Sequence, residues 1–153
     1  MSEHTANILW TRSGEVFDHE HYSRAHSWTF DCGVVVPASA TPAYQGDPDR
    51  VDPEEAVVAA LSSCHMLTFL AIAARKRFVV ESYADHPLGL LTKNERGKLW
   101  LSSITLHPKV VFSGERRPTT EEIVAMHRSA HDNCFIAASV KSEVRVEPLA
   151  TAG

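Results

Sequence analysis

The chain has 153 residues, 44% of them hydrophobic and 22% charged, which is the usage of a globular domain large enough to bury its own core. Fifteen Lys and Arg stand against nineteen Asp and Glu, and the net charge of -4 disfavours a surface that tracks nucleic-acid phosphates. Three cysteines, an odd number, follow an opening MSEHTANILW that has no apolar leader, so the expectation is a single cytoplasmic domain over residues 1–153 rather than a secreted disulfide scaffold. In chain order, Ala6 to Thr11 reads as a strand closed by the Ser13-Gly14 turn signal. Ser27 to Cys32 alternates in polarity and is a second strand. Residues 33–51 carry Pro37, Pro42, Gly46 and Pro48, which makes them a loop, or an edge strand giving way to one.

The strongest local signal follows. Asp52 can cap a helix, Pro53 suits its first position, and Glu54 and Glu55 favour the positive end of its dipole. Glu55, three residues after Asp52, completes capping-box spacing. The run AVVAALSSCHMLTFLAIAA then ends at Arg75-Lys76-Arg77, cations at the negative end. Ser62, Ser63, His65 and Thr68 lie in its middle, where a lone membrane span would place them at the bilayer centre at high cost. The run therefore reads as the central helix of a globular fold, with no membrane partner.

Phe78 to Tyr83 reads as a strand. Leu88–Thr92 and Lys98–Phe112 form a hairpin, and Pro108 marks an edge or bulge in its second arm. Thr119 and Glu122 have capping-box spacing and open a second helix running to about His131. Ser142 to Glu147 is the last strand. This order is α+β, with antiparallel sheets packed around a long buried central helix. A helix of about 23 residues, roughly 35 Å long, is more than so few elements can cover, so a homodimer burying it is expected.

The candidate chemistry centres on two cysteines. Cys64 sits mid-helix in Ser62-Ser63-Cys64-His65, and Cys134 follows the second helix in His131-Asp132-Asn133-Cys134. Neither belongs to a CxxC pair, so thioredoxin-like exchange is not indicated. Paired with histidines in a reducing compartment, they leave redox catalysis or metal binding open. Cys32 reads as a packed strand thiol.

The stretch DPEEAVVAALSSCHMLTFLAIAA, followed about sixty residues later by AHDNCFIAASV and a closing strand, resembles the OsmC/Ohr family of osmotically inducible and organic hydroperoxide resistance proteins. The resemblance covers roughly residues 5–148 and rests on the Asp-Pro-Glu motif, on Cys64 ten residues after Glu54, and on the late Cys134. It implies an intertwined homodimer with two sites at the interface. It implies a thiol peroxidase that reduces small organic hydroperoxides, needs no cofactor, and is recharged by a dithiol, commonly a protein-bound lipoyl group. By the same resemblance Cys64 is the peroxidatic nucleophile, Cys134 the resolving thiol, and Glu54 with an Arg the activating pair.

Elementary chemistry agrees with those roles. The attacking species is a thiolate, and a fixed guanidinium stabilises it and polarises the peroxide. Attack gives a sulfenic acid, and a second thiol condenses with it to a disulfide. Met66, Leu67, Phe69 and Leu70 are candidates for an apolar wall favouring organic peroxides. Arg12, Arg24 and Arg50 are candidate cations; Arg24 is preferred because Tyr22 and His26 would share a strand face with it. On one continuous helix Glu54 lies about 15 Å from Cys64, so it serves the same thiol only if the helix breaks or the partner chain donates it.

The rival reading is a non-catalytic dimer that binds or senses a metal or an apolar ligand. His127, His131 and Cys134 have i, i+4, i+7 spacing, one face if the helix persists, and Cys64-His65 would join them.

Overall fold

The computed structural model describes residues 1–150. The chain divides into two compact units, Met1–Ala56 and the residues from Val57 onward. In the first, strands β1 (Ala6–Leu9), β2 (His26–Phe30) and β3 (Val35–Ala38) form an antiparallel sheet in that order. The stretch expected as a loop or edge strand is both. β3 pairs with β2 along the sheet edge, and a 3-10 turn at Pro42–Tyr44 leads away from it. Gly46 closes that loop: a Cβ there would stand 1.5 Å from the Ala40 carbonyl oxygen, so no other residue fits.

Helix α1 (Pro53–Arg75) starts where the sequence places it. The backbone N–H of Glu55 donates to Asp52 Oδ1 at 2.8 Å and that of Asp52 donates to Glu55 Oε2 at 3.1 Å, which is the reciprocal capping box. The far end closes with Arg77 in the left-handed region (φ 62°), where the Phe78 N–H reaches back to the Ala73 carbonyl. Only one stripe of α1 is buried within the chain: Leu61, His65, Phe69 and Ala73, four residues apart each time. The expected all-round burial is therefore not met by one copy. Val57 and Leu67 stand 38% and 60% exposed.

In the second unit, β4 (Val79–Ala84) pairs antiparallel with β7 (Lys109–Ser113), and β5 (Leu88–Lys93) pairs antiparallel with β6 (Leu99–Leu106). The expected second hairpin arm is thus two strands in two sheets. Pro108 has no N–H to give a ladder, and the chain leaves one sheet there and enters the other. Helix α2 (Thr120–Asp132) opens on the anticipated capping box, with Thr119 Oγ1 accepting from the Glu122 N–H. A short helix α3 (Phe135–Ser139), which the sequence reading lacks, precedes β8 (Glu143–Val146). β8 joins β6 in parallel, the one such strand pair among the described residues, where the other pairs are antiparallel.

Two apolar clusters fix α1 against these elements. Phe69 and Ala73 pack with Phe78, Val110, Phe112, Met126 and Ala130. Leu61 packs with Ile104, Leu106 and Cys134. Gly89 allows β5 to lie close on α1, since a Cβ there would meet a Val58 methyl at 2.6 Å. His65 sits on the buried stripe between the two clusters.

Candidate functional site

The fold brings Cys64 and Cys134 together. Cys64 lies half-buried on α1 against the cluster that contains Cys134, and Cys134 itself is 1% exposed at the start of α3. Both are free thiols. Burial pushes the Cys134 thiol above its usual range, and the neighbouring Cys64 sulfur pushes it further by accepting its hydrogen bond. The Ala137 N–H, 3.4 Å from Cys134 Sγ, opposes this. Cys134 is thus held toward its protonated form, buried beside the half-buried Cys64. Cys32, expected as a packed thiol, is exposed.

The turn carrying Cys64 is anchored on both sides. Thr68 Oγ1 donates to the Cys64 carbonyl at 2.9 Å. Ser62 Oγ donates to Asp85 Oδ2 at 2.5 Å, and the other Asp85 oxygen accepts from the His107 N–H at 2.7 Å. Asp85 therefore ties the middle of α1 to the end of β6, a role invisible in a sequence where it is one carboxylate before His86-Pro87. Of the expected apolar wall, Phe69 belongs to the core instead. Leu67 lines a cavity of about 410 Å³ with Thr68, Ile72, Arg75 and Phe135, between the second half of α1 and the segment carrying Cys134.

α1 is unbroken from Pro53 to Arg75, so Glu54 of the same chain stays about 15 Å of helix away from Cys64. Arg24 does not lie on a strand face as expected: β2 starts at His26, and Arg24 sits in the segment before it. Tyr22 nevertheless orients it. The guanidinium carbon stands 3.9 Å over the Tyr22 ring, and the group donates to the carbonyls of Tyr22 and His19. Arg50 pairs with Asp47 at 3.0 Å, while Arg12 is exposed.

The histidine expectation changes most. α2 ends at Asp132 and Cys134 begins another helix, so His127, His131 and Cys134 do not share one helical face. Among the described residues no group of three His, Cys, Asp or Glu side chains is arranged to hold a metal ion. His65 Nε2 and His127 Nδ1 instead share a hydrogen bond at 3.1 Å, their rings parallel within 5°. His127 also stacks on Phe69 at 4.3 Å between ring centres. Burial lowers both histidines to about 4, and each is further lowered by a neighbouring imidazole, His131 for His65 and His65 for His127. Both are neutral at pH 7.

Comparison with known proteins places the chain in a family and a fold. The OsmC-like protein family matches residues 46–148. An OsmC-like protein of unknown function from Vibrio cholerae is 51% identical, with a TM-score of 0.94 over 97% of this chain and 100% of its own. An organic hydroperoxide resistance protein from Elizabethkingia anophelis, 16% identical, superposes with a TM-score of 0.71 over 100% of this chain and 98% of its own. The organic hydroperoxide resistance protein OhrB of Bacillus subtilis, 18% identical, gives 0.66 over 95% and 98%. These last two likenesses are likenesses of fold. No curated protein matches the chain. With a family match across most of its length and the fold of its solved relatives, the chain belongs to the OsmC-like protein family.

Proposed function

We propose that this protein is a thiol peroxidase that reduces organic hydroperoxides to alcohols. The observation that carries the reading is the contact between a half-buried and a fully buried thiol that lie seventy residues apart in sequence. Two free cysteines on separate elements pack into one cluster, Cys64 half-buried and Cys134 fully buried behind it. That is the division of labour between a resolving and an attacking thiol.

In the first step the Cys64 thiolate attacks the distal peroxide oxygen. The O–O bond breaks, Cys64 becomes a sulfenic acid, and the leaving alkoxide takes a proton to give the alcohol. In the second, the Cys134 thiol condenses with the sulfenic acid, forming the Cys64–Cys134 disulfide and releasing water. A dithiol of the lipoyl type returns two electrons and two protons. Arg24 is the activating guanidinium and Glu54 its carboxylate partner. Since α1 is unbroken, Glu54 serves a thiol in the second copy of the chain, and the working form is a homodimer.

The test is a pair of variants. Cys64→Ser abolishes turnover of tert-butyl hydroperoxide with a lipoyl reductant. Cys134→Ser consumes about one equivalent of peroxide and stops, its Cys64 sulfenic acid detectable by mass. Full activity in Cys64→Ser ends the reading.

A further inference from the structure

The cysteine pair leaves a second feature unused. Val124, His127, Arg128 and His131 stand along one side of α2, and Val144 and Val146 face them from β8 across a cavity of about 260 Å³. A second cavity, of about 290 Å³, shares Val124 and His127 and continues along α2 to Ile123 and Val110. Together they form an apolar cleft with a polar end.

That polar end lacks partners. His127 is 3% exposed, and its Nδ1 is spent on His65. Its Nε2, at the opposite side of the ring, is buried with no hydrogen-bond partner, and so is Nδ1 of His131 one turn further along. A buried nitrogen left without a partner has lost its water and gained nothing in exchange. Arg128 is exposed at the mouth and makes no ion pair among the described residues. Two imidazoles without acceptors, one free cation and a valine-lined channel ask for the same molecule from three sides.

We propose that this cleft binds a small amphipathic carboxylate. Its oxygens accept from His127 Nε2–H and His131 Nδ1–H, with the Arg128 guanidinium closing over them, and its hydrocarbon tail runs past Val124 toward Val110. A carboxylate only accepts hydrogen bonds, so it selects the His127 tautomer whose Nδ1 accepts from His65 Nε2–H. Occupancy of the cleft therefore fixes the proton on the residue next to Cys64. The site stands independently of any peroxidase chemistry.

Octanoate is the probe. Calorimetry gives a dissociation constant between about 10 µM and 1 mM for a ligand of this size. The ring nitrogens of His127 and His131 shift in imidazole NMR, and His127 is locked as the Nε2–H tautomer. Octan-1-ol, Arg128→Gln and a cleft-filling Val144→Trp each weaken binding about tenfold or more. The exposed Val124→Trp repeats the blockade should Val144→Trp fail to fold. Cys64→Ser binds octanoate as the parent does, which separates this result from the outcome for the thiols. Unmoved His127 and His131 nitrogens at saturating octanoate overturn the proposal. So does equal binding by Val124→Trp, or nitrogens found bonded to water alone while octanoate stays silent.

Discussion

Two imidazoles buried face to face make this chain sensitive to acid. His65 and His127 sit near pKa 4 in the folded protein, against 6.5 for an ordinary histidine. The unfolded chain therefore takes up protons first as pH falls. The stability they contribute is fully present above about pH 6.5 and is lost on acidification toward pH 4, on the order of 3 kcal/mol for each ring. Urea unfolding at pH 7.5, 5.5 and 4.5 measures this: the free energy drops across the series, and a His65→Leu/His127→Leu double variant flattens the slope. Asp85 pulls the other way on His65, and the loss is smaller for its presence. The spacing of His127 and His131 was legible in the sequence, but its meaning was not. Metal binding looked open because ligand types can be read off a chain, whereas the direction in which each ring nitrogen points depends on which helix packs opposite.

Helix ends were the most legible elements, because every group that closes them is local. The boxes at Asp52/Glu55 and Thr119/Glu122 each form as spacing predicts. The other end of α1 falls at the basic run Arg75-Lys76-Arg77, as expected, but its closing residue is Arg77 rather than the usual glycine. A non-glycine residue at φ 62° is strained by its Cβ. Arg77→Gly relieves that strain and, net of the entropy glycine loses on folding, stabilises the protein by about 0.5–1 kcal/mol, visible as a raised Tm in a thermal scan. Strand partners were harder to read. Pro108 announced a break, but only the packing of Val110 and Phe112 with Phe69 puts β7 in a different sheet from β6. The segment before β2 shows the same limit: Tyr22 does position Arg24, through its ring face rather than through a shared strand.

At the scale of the molecule, the mismatch between α1 and its cover points to assembly. The helix is long and apolar enough to cross a membrane by length and composition alone, yet it is the core helix of an OsmC-like domain. Its unburied flank includes Leu67, 60% exposed. In the proposed dimer this flank meets the second copy, so Leu67→Glu shifts the species measured by light scattering from dimer to monomer while circular dichroism keeps its helical signal. The sequence made that shortage of cover visible by simple counting of elements. It brought the two cysteines together only through family resemblance, because no local rule states that residues seventy apart will touch.

The parallel pairing of β8 with β6 has a consequence for how the thiols are handled in a newly made chain. Forty residues separate Ser103 from its ladder partner Glu143, and Val144 and Val146 help wall the cluster that seats Cys134. Such a long loop closes late. During synthesis Cys64 is therefore made well before its companion sulfur has a pocket, so until the final strand pairs a growing chain can exchange with an outside disulfide, Cys64 taking one of its sulfurs and the other leaving as a thiol.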